Sequence, residues 1–570
     1  MIAPGLQVVS TYQRAWLRQD VVAGLVLASL LVPQGMAYAE LAGLPPITGL
    51  YTSILCLLAY AVFGPSRILV LGPDSALGPM IAATVLPLVA ANGDPAIAVT
   101  YASMLALLVG AFMLIGARAG LGFVADLLSK PTQIGYMNGL ALTILIGQLP
   151  KLLGFSVDAD GLIGETVGFV QGVQAGEVVP AAAGIGLFSL LLMVVLSRIA
   201  PAVPSVLVAV IAAMVLAYGL DLAARGVLLV GILPSGLPPF TIPFVPLADM
   251  PLLVAGAIGI AVVSLADTIS TSSAFAARTG HEVRANQEMI GIGAANVGAG
   301  LFAGFPVSTS GSRTAVAERA GAKTQLTGVV GAIAIAVMLV FVPGLLQYLP
   351  QPTLGAVVIV ASISLADIPA TRRLWQQRRA EFWLSMAAFL GVALFGVLPG
   401  IAIAVTLSIL AVFVRVWNPY RTRLGDVPDV AGYHDVTMYP DAIELPGLVI
   451  YRFDGPLIFA NAKTFRTEVR AFAHADPPPR WIIVAAEPMT DVDTTAADML
   501  EELDDELEAA GITLVFAEMK DAVRQKIHAY GVEWLTDRDA FYPTVGSAVK
   551  AYREMTGILK PDHRGESRPD

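Results

Sequence analysis

Fourteen apolar stretches, at 20–38, 47–63, 75–92, 96–117, 120–149, 179–197, 203–220, 251–275, 287–304, 312–320, 326–343, 354–367, 381–397 and 400–417, fill most of the first 418 residues of this 570-residue chain. A helix needs about 20 apolar residues to cross a hydrocarbon core of roughly 30 Å. A chain built this way folds against lipid. Composition agrees, with 56% of residues hydrophobic and 14% charged, against roughly 45–50% and about 25% in soluble domains. The charge is unevenly spread: from Pro419 onward 16 Lys/Arg stand against 27 Asp/Glu, whereas the preceding block is nearly neutral.

The reading is a polytopic α-helical membrane domain over 20–418 with fourteen transmembrane segments, preceded by a short cytoplasmic segment 1–19. A linker is expected at 419–434, a soluble α/β domain at 435–556 and a disordered tail at 557–570. In that domain the runs Leu448–Phe453, Trp481–Ala485 and Thr513–Ala517 read as strands, alternating with helical stretches Ala496–Ala510 and Asp521–Ala529. The even span count puts both termini on one side. With that side cytoplasmic, inner loops hold Arg67, Arg118, Lys130, Arg198, Arg278, Arg284, Arg319, Lys323, Arg372, Arg373, Arg378 and Arg379, and outer loops little beyond Lys151 and Arg225. This is the positive-inside asymmetry of a plasma (inner) membrane protein.

Several classes are excluded. The single cysteine, Cys56, forms no intramolecular disulfide, and no Cys/His pattern has zinc spacing. The start carries no secretory-type segment. A net charge of −10 disfavours nucleic acid. No Walker loop, dinucleotide fingerprint or Ser/His/Asp grouping is present, so the chain reads as no enzyme and needs no cofactor beyond a coupling ion.

Two regions share a design. Leu25–Tyr38 contains Pro33-Gln34-Gly35, followed by Gly72-Pro73-Asp74-Ser75 at the start of a short helix; Ala261–Thr271 contains Asp267, followed by Gly304-Phe305-Pro306 and Ser310-Gly311-Ser312-Arg313 at the start of another. Matched interruptions in two halves point to a transporter's substrate site. Seven segments per half, about 20–220 and 251–418, require the second repeat to be inverted. A half-helix beginning in mid-membrane presents unpaired N–H groups and a partial positive pole, and two facing poles bind an anion. Ser75 and Ser312 put small side chains and bare N–H groups there, the run Ser308-Thr309-Ser310-Gly311-Ser312 either supplies further donors or caps the short helix, and Arg313 adds a cation whose membrane cost of about 2.5–3.5 kcal/mol argues against mere packing.

Other residues are open to two readings. Arg313 is either an anion ligand or a snorkelling side chain. Asp267 is either its ion-pair partner or a coupling site, because a desolvated carboxyl takes up a proton reversibly, and Asp267 with Thr271 at i, i+4 offers oxygens to sodium. Gln34 and Tyr38 either wall the cavity or hydrogen-bond between helices. Asp74 would repel an anion unless paired. Glu40, Asp126 and Glu318 read as interfacial and His281 as a solvated loop residue. Asp493 or Thr494 reads as a helix cap, with phosphorylation of Thr494 as the sharper alternative.

The run Leu31-Val32-Pro33-Gln34-Gly35-Met36-Ala37-Tyr38-Ala39, with Leu41-Ala42-Gly43-Leu44-Pro45-Pro46, Asn286-Gln287-Glu288, Gly304-Phe305-Pro306-Val307, Ser312-Arg313-Thr314-Ala315 and Gly321-Ala322-Lys323-Thr324-Gln325, resembles the sulfate permease (SulP) family of anion transporters. The tail is similar to a STAS domain, the module of anti-sigma-factor antagonists. The resemblance implies a 7+7 inverted repeat with core and gate domains, elevator-type transport, homodimers, and a STAS domain that aids assembly and regulation and takes a cytoplasmic protein partner. It places the family's anion site on Gln34, Tyr38, Asp74–Ala76, Ser312 and Arg313, its coupling carboxyl on Asp267 and its phosphorylatable position on Thr494. Sulfate with proton symport is the expected activity. Asp267, where proton-coupled members typically carry glutamate, keeps sodium-coupled bicarbonate or dicarboxylate transport open; an anion channel or an anion sensor signalling through STAS is the alternative of another class.

Overall fold

In the computed structural model all residues are described except 1–2, 7–10, 90–93, 160, 201–202, 280–282, 429, 533–539 and 559–570. His281 and nearly all of the expected tail therefore lie outside the described residues, as does the side chain of Asp126. Residues 1–409 and 410–570 pack as two units.

Each of the fourteen apolar stretches contains a helix. They are α1 (Leu17–Leu41), α2 (Pro46–Phe63), α3 (Gly78–Val89), α4 (Pro95–Arg118), α5 (Lys130–Leu153), then, after a largely exposed α6 (Gly161–Ala175), α7 (Pro180–Ile199) and α8 (Ser205–Gly219). The second half follows with α9 (Met250–Thr279), α10 (Ala285–Leu301), α11 (Gly311–Arg319), α12 (Leu326–Phe341) and α13 (Gln351–Leu365), a polar α14 (Ile368–Gln377), α15 (Arg379–Phe395) and α16 (Val397–Trp417). Among the described residues seven helical runs are long and apolar enough to cross a membrane, and Gly78–Val89, Ser205–Gly219 and Leu326–Phe341 are shorter apolar helices. Leu191, Val215, Phe341 and Phe395 remain exposed on outward faces, the pattern of a lipid-facing rim rather than a hydrated one.

The helices form two bundles. α1 to α4 pack with α9 to α12, and α5 to α8 pack with α13 and α15. Within the first bundle α1 and α2 cross at Gly35 and Gly49, where a Cβ on Gly49 would stand 1.9 Å from the Gly35 carbonyl oxygen; only hydrogen fits. The short strands β1 (Leu71–Gly72) and β2 (Ser308–Thr309) pair antiparallel at its centre, Leu71 opposite Thr309 and Gly72 opposite Ser308. The first interruption is thus a strand plus a turn at Ser75–Leu77, and the helix proper opens at Gly78 rather than at Ser75.

The carboxy-terminal unit holds a six-stranded sheet in the order β4-β3-β5-β6-β7-β8, with β3 (Tyr420–Asp426), β4 (Tyr433–Asp435), β5 (Leu448–Asp454), β6 (Trp481–Ala485), β7 (Thr513–Ala517) and β8 (Phe541–Tyr542). β5 to β8 run parallel and β3 is antiparallel to both its neighbours. One point is a correction: 419–434, expected as a linker, carries β3 and the start of β4, because alternation of Thr422 and Leu424 with Arg421 and Arg423 buries one side of a strand while its charged side faces water. One sheet face meets Phe465 of α17 (Ala462–Ala473), Leu500 of α18 (Thr494–Ala509) and Ile527 of α19 (Asp521–Ala529); the other meets Val549 and Tyr552 of α20 (Val545–Thr556). Burial on both faces explains the continuous apolar run of β6.

Candidate functional site

The β1–β2 pair aims two helix beginnings at one place. After β1, Asp74 folds the chain into a turn: its Oδ1 accepts the Ala76 N–H at 2.9 Å and its carbonyl oxygen accepts the N–H groups of Leu77 and Gly78. After β2, Ser310 is the N-cap of α11, its Oγ accepting the Arg313 N–H, while its own N–H is spent on the Val70 carbonyl at 3.1 Å. The stem is fixed from below, because the Val70 N–H donates to Thr314 Oγ1 at 3.1 Å. These caps leave the N–H groups of Ser75, Gly311 and Ser312 uncommitted among the described residues. Gly311 and Ser312 are exposed, and Ser75 is buried with Ala76.

Between the two beginnings lies Arg313. Its side chain is 1% exposed, and none of its three guanidinium nitrogens makes a hydrogen bond. A buried guanidinium without acceptors is costly unless an anion completes it. The nearest carboxylate is Asp74, with Oδ2 3.6 Å from Nη2, an ion pair too long to be a hydrogen bond. The alternative that Asp267 pairs with Arg313 is not what the fold builds; Asp74 is the partner, which also resolves its awkward charge. Gly72 permits this approach: a Cβ there would meet Arg313 Nη1 at 2.8 Å. The Ser308 hydroxyl is also buried without a partner.

Other expected residues gather around this point. The Tyr38 hydroxyl lies beside Ser75 and within electrostatic range of Arg313 and Asp74. Gln34, one turn earlier on α1, is half-buried on the same face. Thr271 is the nearest side chain to the Cβ position of Gly311, 3.8 Å away. α9 is held against β2 by Thr309 Oγ1 donating to Thr268 Oγ1 at 3.2 Å and by Ser264 Oγ donating to the Val307 carbonyl at 3.1 Å. Asp267 on that helix is half-buried and accepts one long hydrogen bond, 3.4 Å from Gln133 Nε2. It lies within electrostatic range of Asp74.

Two residues here escaped the sequence reading, and both come from the other bundle. Gln133, on α5, donates to Asp267, and Tyr136 on the same helix is fully buried within electrostatic range of Asp267 and Asp74, its hydroxyl without a partner. The site is therefore a seam between bundles. One guanidinium, two carboxyls, three free N–H groups and two orphan hydroxyls line it, and no metal-binding group of His, Cys, Asp and Glu occurs among the described residues. In the carboxy-terminal unit the cap of α18 is Asp493, whose Oδ1 accepts the Ala496 N–H at 2.8 Å and Oδ2 the Phe459 N–H at 2.8 Å; Thr494 is the exposed first residue of the helix.

Comparison with known proteins bears on this arrangement. The profile described as "Sulfate permease family" matches residues 17–388, and the profile described as "STAS domain" matches 439–548. A probable sulfate transporter of Mycobacterium tuberculosis is 42% identical over 97% of this chain and 98% of its own length. A probable sulfate transporter of Arabidopsis thaliana is 31% identical over 92% of this chain and 86% of its own. Among solved structures, the murine Solute Carrier 26 family member A9 anion transporter in the inward-facing state superposes with a TM-score of 0.89 at 24% identity, covering 97% of this chain and 94% of that one. The transmembrane domain of a cyanobacterial bicarbonate transporter matches with a TM-score of 0.60 at 21% identity over 69% of this chain and 98% of that one. These two likenesses speak to fold alone.

Proposed function

The chain belongs to the sulfate permease family of membrane transporters, and from that premise we propose that it imports sulfate together with a proton across the plasma membrane. The observation that carries the reading is the Arg313 guanidinium, 1% exposed and without a hydrogen bond, set between the beginnings of two half-helices. Sulfate offers four oxygens, enough to accept from the guanidinium and from the N–H groups of Ser75, Gly311 and Ser312 together.

Charge counting supports coupling. With Asp74 and Asp267 ionised, the seam carries two negative charges against one positive, and a dianion is unwelcome. One proton on Asp267 leaves Asp74 and Arg313 balanced, so that the helix poles and hydrogen-bond donors act on sulfate unopposed. Asp267 is the carboxyl with the weaker hold, a single long bond from Gln133, whereas Asp74 is tied to Ala76 and Arg313.

Movement follows from the seam. Gln34, Tyr38, Asp74, Ser75, Ala76, Asp267, Thr271 and the Ser310–Arg313 turn all ride on the first bundle, while Gln133 and Tyr136 ride on the second. Sliding the first bundle past the second, in an elevator-like alternation of a core against a gate built as an inverted 7+7 repeat, would carry the anion from one face to the other with its ligands. Both termini are cytoplasmic in this reading, and the protein works as a homodimer whose STAS domain receives regulation and a cytoplasmic protein partner. A phosphate on exposed Thr494 would meet the positive pole of α18 but also the Asp493 carboxylate beside it.

Aspartate rather than glutamate at position 267 favours a second reading, sodium-coupled uptake of bicarbonate or a dicarboxylate, with Asp267 and Thr271 supplying oxygens. One experiment separates them: uptake of labelled sulfate, bicarbonate and succinate into proteoliposomes with proton and sodium gradients imposed in turn. Concentrative sulfate uptake driven by protons is expected. Sodium-driven bicarbonate or succinate uptake overturns the proposal, as do current without accumulation (a channel) and binding without flux (a sensor).

A further inference from the structure

Between α13 and α15 the chain does not turn directly. It runs along α14, a ten-residue helix that carries Arg372, Arg373 and Trp375. Asp367 caps this helix, its Oδ1 accepting the Ala370 N–H at 2.9 Å. Asn138 of α5 then pins it, with Oδ1 accepting the Asp367 N–H at 2.7 Å and Nδ2 donating to Thr371 Oγ1 at 2.9 Å. Ala370 and Leu374 bury against Ile134, with Phe382 packed beside them. The helix is a fixed ledge rather than a loose loop.

Its outward side combines two chemistries. Arg372, Arg373 and Arg379 are exposed and make no ion pair among the described residues, whereas Arg378 is paired with Glu381 at 3.1 Å. Beside them lies an aromatic cluster, Trp375 against Phe382 at 4.8 Å and Phe382 against Trp383 at 5.4 Å, with the Arg379 guanidinium 5.1 Å from the Trp375 ring. Trp375 is 44% and Trp383 60% exposed. Two open indoles are a poor surface to hold in water. At the headgroup level of a bilayer they are at home, and three unpaired guanidinium groups at that depth seek phosphate oxygens.

We propose that the outer face of the corner between α14 and α15, with Arg372, Arg373 and Trp375 on α14 and Arg379 and Trp383 at the start of α15, is a binding surface for anionic phospholipid headgroups of the adjoining leaflet. The bilayer is the favoured occupant because the indoles need an interface that a soluble partner does not supply, and because α13 and α15, the apolar helices on either side, bring α14 to the membrane edge. The inference does not depend on the substrate or the coupling ion.

The test reads lipid binding rather than transport. The full chain is exchanged from detergent into nanodiscs of phosphatidylcholine with a minor fraction of phosphatidylglycerol, and retained lipid is measured by native mass spectrometry for the wild type, R372Q/R373Q/R379Q and R372K/R373K/R379K. The wild type should retain phosphatidylglycerol preferentially. The glutamine variant should lose on the order of 100-fold in that preference, as expected for three cations at an anionic surface, and the lysine variant, which keeps the charge, should retain most of it. W375A/W383A should weaken retention of both lipids. Equal retention of the two lipids by the wild type, or unchanged selectivity in the glutamine variant when the lysine variant is folded, overturns the proposal. So does full displacement of phosphatidylglycerol by soluble glycerol phosphate, since the site would then serve a free anion.

Discussion

Truncating Arg313 to alanine takes from the seam its cation and leaves Asp74 behind. At the 3.6 Å separation of the pair, Coulomb's law gives roughly 4–5 kcal/mol at an effective dielectric of about 20 and about 1 kcal/mol in water. Arg313 is 1% exposed but the lip at Gly311 and Ser312 is open, which puts the operative value between those limits. A dianion at similar range loses twice a unit interaction and gains Asp74 as an unopposed neighbour, so a loss of about 2–4 kcal/mol is a conservative figure. That corresponds to a roughly 30- to 1,000-fold higher KM for sulfate, at 1.4 kcal/mol per tenfold. The assay is initial-rate sulfate uptake into proteoliposomes under a fixed proton gradient, with Arg313→Lys as a folding control. Asp74→Asn completes a double-mutant cycle, because asparagine still offers an oxygen to the Ala76 N–H while the charge is gone. The double variant should recover part of the lost affinity, with a coupling of at least about 1 kcal/mol, but remain well short of the wild type. A KM for Arg313→Ala within twofold of the wild type refutes the reasoning. Full recovery in the double variant refutes it differently, by reducing Arg313 to a counter-ion for Asp74.

Asp267→Asn should abolish the pH dependence of sulfate uptake while sulfate still binds; an unaltered pH profile removes Asp267 from coupling. Tyr136→Phe deletes a buried hydroxyl that has no partner in the protein, so thermal stability should hold or rise slightly while KM rises about 2- to 10-fold; an unchanged KM means the hydroxyl does not meet the anion. Gly49→Ala would drive a methyl to 1.9 Å from the Gly35 carbonyl and should lower thermal stability by at least about 1–3 kcal/mol, seen as a reduced melting temperature in detergent. In the STAS domain, hydrogen bonds from Arg470 and Arg466 hold the Glu506 carboxyl down to about 2 from its ordinary 4.5. Its contribution is complete above 4.5 and fades as pH falls toward 2, so Glu506→Gln should flatten the acid limb of hydrogen-exchange protection in α17 and α18; an unchanged limb means the exposed pair is screened to nothing.

The long membrane helices were legible because lipid demands uniform apolar runs, and seven described helical runs meet that demand in length and composition. The two interruptions were legible because Gly72-Pro73 and Gly304 to Pro306 break that uniformity, although the first helix opens at Gly78 and not at Ser75. Other features left no such trace. Gln133 and Tyr136 sit inside an uninterrupted helix, and their meeting with Asp267 depends on how two bundles face each other. The Arg313–Asp74 pair joins residues far apart in sequence, and charge at a broken segment reveals that a partner is needed without saying which. β3 was missed because arginines on its solvent side mimic the composition of a linker.

The hydrogen-bonded ladder at Leu71–Thr309 and Gly72–Ser308 joins positions more than two hundred residues apart. On the proposed site, a nascent chain that has emerged only through α8 has one helix beginning and no mate for it, so anion capture would wait until β2 docks. A chain ending before Ser308 would then lack recognition altogether instead of having it weakened by degrees.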